Sequence, residues 1–276
     1  MLSGKELHAI KTLKEICEKE DGFDLKLNFD MLENRTEGLK EDFFHYEEER
    51  LVGFLGSYRF GSKVELCGMV HPNYRRKGIF TKLLQSALEE MNKQTVETIL
   101  LNAPTGSTSA KGFLKSIPCE FSFAEYQMKW LETSLTENPT VIIRPARSKE
   151  DIEAVIQLEV LGFGLPEEDV RMMNQMIKET HNDRTFLIEV DGDIAGKIRV
   201  SESDGEAWIY GFAVYPELRG RGIGRNALSN VVKMEHEKGF SVFLEVEAKN
   251  KRALQLYESC GFQSYHSQDY YTYHRE

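Results

Sequence analysis

The sequence predicts an α/β (α+β) fold class, realised as two tandem domains of one pattern, and three observations lead to it. First, the segment 70–80 superposes on 214–224 without a gap. Val70 falls on Val214, Arg75 on Arg219, Gly78 on Gly222 and Phe113 on Tyr257, all at one offset of 144 positions. Second, short apolar strands and helix-period segments alternate in the same order in both halves. Third, the polar stretch 132–140 interrupts the pattern and reads as a linker. The expected domains are therefore 1–131 and 141–276.

In chain order, the first half predicts helices near 5–18 and 29–33, then strands at 43–48, 51–58 and 64–70. A helix over 80–91, a strand at 98–101, a short helix at 110–115 and a strand at 125–130 follow. The second half opens with the short apolar strand Val141-Ile142-Ile143-Arg144-Pro145-Ala146. Ser148 then caps a helix, and Asp151 completes its capping box. That helix runs over 151–161, with Ile152, Val155, Ile156 and Leu158 on its apolar face, and a second covers 166–180. Strands at 186–190 and 194–201 flank Asp191-Gly192-Asp193, a hairpin signal. A strand at 207–214, a helix at 223–238, a strand at 242–247, a helix at 253–259 and a strand at 270–273 complete the order.

Composition narrows the function classes. With 41% hydrophobic and 29% charged residues in 276, the chain has material for a core in each half and is not wholly disordered. Its formal charge of -10 disfavours nucleic acid and anionic membranes as partners and leans toward a cationic substrate. Cys17, Cys67, Cys119 and Cys260 lie far apart, without metal-ligand spacing or a disulfide framework, so no metal is expected. The first residues lack an apolar leader pattern and no stretch is long enough to span a bilayer, so the expected location is cytoplasmic.

The chemistry concentrates in Phe212-Ala213-Val214-Tyr215-Pro216-Glu217-Leu218-Arg219-Gly220-Arg221-Gly222-Ile223-Gly224-Arg225. A strand ends at Val214 and a helix begins near Ile223. The first N–H groups of a helix are unpaired and carry partial positive charge, so the turn is built to cradle a pyrophosphate. Gly220, Gly222 and Gly224 let the main chain approach phosphate oxygens. Arg219, Arg221 and Arg225 add charges that pair with phosphate in fork geometry.

This segment resembles the acetyl-CoA-binding motif of the GCN5-related N-acetyltransferases (GNAT), [Q/R]-x-x-G-x-[G/A], with Arg219, Gly222 and Gly224 in its places. The later run from Phe243 to Phe262 is similar to the family's next strand and helix: Leu244-Glu245-Val246, Asn250, Ala253, Leu256-Tyr257 and Gly261-Phe262. The resemblance implies a splayed, mixed, mostly antiparallel sheet flanked by helices. It implies acetyl-CoA as co-substrate, its pantetheine arm laid between strands 207–214 and 242–247 against the main chain of Phe212, Ala213 and Val214. Tyr257 is then the acid that protonates the leaving thiolate, and Glu245 the base, directly or through a water, with Glu247 its rival on the same strand face. The twelve-residue spacing of Glu245 and Tyr257 resembles members that acetylate protein N-terminal amines. Asn250 either contacts the pantetheine arm or caps the helix that holds Ala253 and Tyr257.

The first half reads as a divergent copy. Arg75 and Gly78 are retained, while Phe80 stands for Gly224, Leu101 for Glu245, Gly106 for Asn250 and Phe113 for Tyr257. A phenyl ring has no proton to give, so the first domain is expected to be structural or substrate-shaping, with or without coenzyme A bound, and the second catalytic; the alternative is that both halves are catalytic. The acceptor is expected to be a primary amine, small-molecule or peptide: protein N-termini, polyamines, aminoglycosides and small amino compounds all fit. Its pocket draws on 161–178, including Met172, Met173 and Met176. Other readings are a non-catalytic acyl-CoA sensor, or an acyltransferase with another donor or acceptor. The expected assembly is a monomer with pseudo-dimeric domains or a homodimer.

Overall fold

The computed structural model describes residues 2–35, 38–135, 139–178 and 183–275. Positions 136–138 of the predicted linker and 179–180 of the predicted helix lie outside the described residues, as does the side chain of Met176. The chain divides into two compact units, residues 1–124 with 266–276, and residues 125–265.

The first unit begins with α1 (Gly4–Asp21), whose capping box joins Ser3 and Glu6, and α2 (Phe29–Glu33). Strands β1 (Asp42–Glu47), β2 (Arg50–Phe60) and β3 (Lys63–Val70) form an antiparallel meander. Helix α3 (Ile79–Met91) crosses to β4 (Thr98–Pro104), which lies parallel to β3, and α4 (Thr108–Leu114) follows. Residues 51–58 of β2 are buried without interruption because helices cover both faces of the sheet. Ile10, Leu13 and Cys17 of α1 pack with Phe54 and Tyr58, while Leu83, Leu84 and Ala87 of α3 pack with Leu55 and Leu66.

The second unit repeats this order with β6 (Val141–Pro145), α5 (Lys149–Phe163), α6 (Glu167–Lys178), β7 (Asp183–Val190), β8 (Asp193–Ser203) and β9 (Glu206–Val214). Helix α7 (Ile223–Glu237), β10 (Ser241–Glu247) and α8 (Lys251–Ser259) complete it. Ser148 and Asp151 form the predicted capping box. Asp191 and Gly192 both have positive φ (55° and 89°), the twist a two-residue hairpin needs. Ala227, Leu228, Val231 and Val232 of α7 bury against the sheet on one face. On the other face Val155 and Leu158 of α5 pack on Leu187.

Repeats and compact units partition the chain differently because the last strands are exchanged. Strand β5 (Cys119–Trp130) ends in the second unit, where residues 125–129 pair antiparallel with β10. Strand β11 (Phe262–Tyr273) ends in the first unit, where residues 268–272 pair antiparallel with β4. Both strands are twelve residues long, against predicted spans of 125–130 and 270–273. The first half of β11, with Gln263, Ser264 and His266, lacks the apolar alternation that marks a half-buried strand, whereas that of β5 alternates at Cys119, Phe121 and Phe123 and leaves Phe121 exposed.

The sheet of the second unit splays where expected. Strands β9 and β10 run parallel and pair from Glu206↔Ser241 to Ile209↔Leu244, after which no further partners join them. Antiparallel pairing of β8 with β9 breaks at the same level. Lys197 faces Ala213 and Arg199 faces Tyr210, so Ile198 alone opposes Gly211 and Phe212. This is a β-bulge, with Gly211 at φ 51°. No described helix is long and apolar enough to cross a membrane. Cys17, Cys67, Cys119 and Cys260 form no disulfide among the described residues.

Candidate functional site

At the open end of the β9–β10 fork, the chain leaves Val214 through a 3-10 turn (Pro216–Leu218) and enters α7 at Gly222. Gly220 and Gly222 both sit at φ 79°, the left-handed region in which a Cβ is strained. Gly222 caps α7 without any side-chain hydrogen bond, so the first-turn N–H groups face outward. Arg219 Nε donates to Val214 O at 2.9 Å, which ties the guanidinium to the strand end. Arg221 donates to Glu217 O at 3.2 Å. None of Arg219, Arg221 and Arg225 has an ion pair among the described residues, in a protein of net charge -10. Uncompensated guanidinium groups and helix N–H groups around one turn make a site for a polyanion.

Gly224 plays a different part from its neighbours. A Cβ there would meet Phe212 and Leu256 only at ordinary contact distance, 3.5 and 3.6 Å. The residue keeps side-chain bulk out of the space between β9 and α8. Tyr257, one turn on from Ala253, is buried to 9% exposure, with its ring 6.2 Å from that of Phe262. Burial pushes its phenol up to about 12, with the nearby Cys260 thiol adding to the shift. Glu245 is half-buried on β10 and accepts a hydrogen bond from Gln127 Nε2 at 2.9 Å. Glu247, two residues on, pairs with exposed Lys249. Asn250 caps α8, its Oδ1 accepting from Ala253 N–H at 3.2 Å. Asn250→Ala should therefore cost about 1 kcal/mol of unfolding free energy in urea denaturation, and an unchanged midpoint would contradict the cap.

Sequence reasoning missed Gln127, Gly211 and a buried polar cluster beside the bulge. Gln127 comes from the strand contributed by the first repeat, so no local signal ties it to Glu245. The bulge does leave a trace. Arg50 and Asp193, which start β2 and β8, differ by 143 positions, whereas Val70 and Val214, which end β3 and β9, differ by 144. One residue is inserted in β9.

The first unit keeps the same turn but arranges it differently. Arg76 occupies the place of Gly220 at φ 65°, a strained position for a residue with a side chain. Arg75 Nε donates to Val70 O at 3.0 Å, but its two terminal nitrogens fork onto both oxygens of Asp21 at 2.7 Å. The arginine matching Arg219 is thus already neutralised. Phe80 and Phe113 meet edge to face with centroids 4.9 Å apart, where the second unit has Gly224 and Tyr257. A cleft of about 440 Å³ remains between β3, β4, α3 and α4, lined by Gly68, Arg75, Phe80, Asn102, Ser107 and Phe113 among others. Strands β2 and β3 pair without a register break, so this unit has no counterpart of the bulge.

A parallel fork, a glycine–arginine turn at a helix N-terminus and a short helix after the next strand, built twice in one chain, define an acyltransferase-type fold in tandem. The chain belongs to the acetyltransferase (GNAT) family, whose model matches residues 8–116 and again 152–262. It is similar to a mycothiol acetyltransferase of Clavibacter michiganensis, 26% identical over 232 residues that cover 77% of this chain and 73% of that protein. Among solved structures, a GCN5-related N-acetyltransferase from Sphaerobacter thermophilus has a TM-score of 0.78 at 21% identity, covering 98% of this chain and 93% of that one. A tandem GNAT protein from the clavulanic acid biosynthesis pathway has a TM-score of 0.71 at 18% identity, covering 98% and 95%. Family members generally use acetyl-CoA.

Proposed function

We propose that the second repeat is an acetyl-CoA-dependent N-acetyltransferase acting on a primary amine. The observation that carries this reading is the set of three arginines without carboxylate partners among the described residues, around a left-handed glycine turn at the mouth of a strand fork. Main-chain N–H groups of residues 220–225 and the arginines would bind the diphosphate. Beyond the last β9–β10 pair, Ile209↔Leu244, the facing edges of 210–214 and 245–247 would hold the pantetheine arm as an added strand, which directs the thioester toward the bulge. The family likeness to a mycothiol acetyltransferase supports acetyl transfer.

Acyl transfer requires a neutral amine, stabilisation of an oxyanion and a proton for the departing thiolate. Glu245, oriented by Gln127, takes the proton the amine sheds as its nitrogen bonds to the acyl carbon. Main-chain N–H at the bulge faces the oxygen that gains charge. Tyr257, fully protonated at neutral pH, returns a proton to sulfur as the carbon–sulfur bond breaks. The first repeat lacks each of these groups: Leu101, an unbroken β3 and Phe113 stand in their places.

The test is release of free coenzyme A thiol from acetyl-CoA with a panel of amines: amino-terminal peptides, polyamines, amino sugars and small amino thiol compounds. At least one class should give turnover, and Glu245→Gln should slow it about 10²-fold. Tight binding of acetyl-CoA with no thiol release across the panel would instead support an acyl-CoA sensor. A second binding reading is favoured by the 440 Å³ cleft of the first unit, which is a place for a second coenzyme A.

A further inference from the structure

Behind the bulge of the second unit lies a buried charge pair that the reaction steps above do not use. Lys197 of β8 is 1% exposed, and its ammonium is paired with Glu159 of α5. The other oxygen of Glu159 accepts from Asn174 Nδ2 of α6 at 2.9 Å, and the same nitrogen also donates to Val170 O at 2.9 Å. Both ends of the pair press on the bulge: a Cβ on Gly211 would stand 2.9 Å from Lys197 Nζ and 3.5 Å from Glu159 Oε1. Glycine at 211 is therefore demanded twice, by its positive φ and by the ammonium packed against its α-carbon.

The protein carries its own comparison. Lys197 stands opposite Ala213 in the second unit, and Phe54 stands opposite Met69 at the equivalent place in the first. Phe54 is fully buried, and the ladder beside it is unbroken. The architecture thus accepts an apolar residue at this place. Removing an ammonium and a carboxylate from water costs several kcal/mol per ion before their attraction offsets it, and well-packed apolar substitutes are often neutral or stabilising. This pair stands beside the bulge and has no counterpart at the equivalent place in the first unit, so it answers to something other than the fold.

We propose that Glu159, Lys197 and Asn174 form a positioning cluster that clamps the Gly211–Phe212 bulge and so holds its main-chain N–H toward the acyl oxygen. The pair acts from below: α5 and α6 fix Glu159, Glu159 fixes the ammonium, and the ammonium leaves the strand one conformation. This inference rests on the second repeat being the site of acyl transfer, and it makes Glu159 and Lys197 determinants of rate rather than of cofactor affinity.

The deciding experiment uses the full chain with both members replaced by methionine, Lys197→Met with Glu159→Met, which removes the charges and keeps similar volume. The expected double variant melts within a few degrees of the unchanged protein and binds acetyl-CoA within about twofold by calorimetry. Its kcat falls about 10²-fold, the effect of an oxyanion donor displaced by about an ångström. Amide hydrogen exchange at residues 210–213 should also accelerate at least about tenfold, while exchange in β7 stays the same. A folded double variant with unchanged kcat and unchanged exchange overturns the clamp. So does one that fails to fold, because the pair would then be structural. If the unchanged protein releases no thiol from acetyl-CoA with any amine, the proposed reaction has failed, and the exchange comparison alone decides the clamp.

Discussion

Replacing Tyr257 with phenylalanine should lower kcat by about 10²–10³-fold, the range of a lost general acid, while acetyl-CoA affinity and folding are retained. Phenylalanine fills the same buried space, and the first repeat already places Phe113 at this position. The expected signature is a fall in kcat with little change in KM for the thioester. Full activity in the variant would transfer the acid role to solvent or another group. The pH behaviour gives a second check. An unfolded tyrosine loses its proton near pH 10, whereas burial holds that of Tyr257 to about pH 12. Between those values the native state keeps a proton that the unfolded chain has released. Stability from this group is therefore complete below about pH 10 and declines as pH rises toward 12. In Tyr257→Phe that alkaline decline should be smaller in chemical denaturation. Activity below pH 10 should show no limb from ionisation of this phenol.

The same substitution made at the two equivalent turns should give opposite results. Gly222→Glu puts a side chain at φ 79° and a carboxylate among Arg219, Arg221 and the first N–H groups of α7. The nearest heavy atom to the new Cβ would be Asn226 Nδ2 at 3.8 Å, so there is room, and the backbone cost is about 1–2 kcal/mol. The carboxylate would occupy the place offered to phosphate and repel it. Affinity for acetyl-CoA should fall at least about 100-fold, equivalent to about 2.7 kcal/mol, and kcat/KM should fall with it. Gly78→Glu adds a side chain at φ 75° with nothing within 4 Å of its Cβ, at a turn where Asp21 already neutralises Arg75. Turnover in that variant should stay within about twofold of the unchanged protein, the backbone strain being local to a turn outside the proposed reaction. Calorimetry on the pair also counts sites: loss of a second, weaker binding event in Gly78→Glu would place a coenzyme A in the 440 Å³ cleft. Turnover abolished by Gly78→Glu and spared by Gly222→Glu would move the active centre to the first repeat.

Much of the site was legible because its requirements are local. A left-handed turn selects Gly220 and Gly222 directly, and capping selects Ser148, Asp151 and Asn250 within three residues of the N–H groups they serve. The partners of those groups were not legible. Gln127 reaches Glu245 from 118 positions away, and Lys197 meets Glu159 across 38. The start of β11, 262–269, was not legible because a strand that shows little apolar alternation is identified only by the edge it joins, whereas 119–124 alternates at Cys119, Phe121 and Phe123 and lies outside the predicted span all the same.

By itself the chain determined that one α/β unit was built twice, where each phosphate-type turn lies, and which copy keeps both a phenol and a carboxylate at matching positions. These follow from short-range sterics and hydrogen bonding, which act on neighbouring residues whatever surrounds them. Only tertiary structure decided that final strands are exchanged, that Asp21 neutralises one arginine while its counterpart has no ion pair among the described residues, and that a buried ion pair backs the bulge of β9. Those outcomes depend on burial and on approach between distant segments, and charge or polarity in a sequence does not say which partner it will meet.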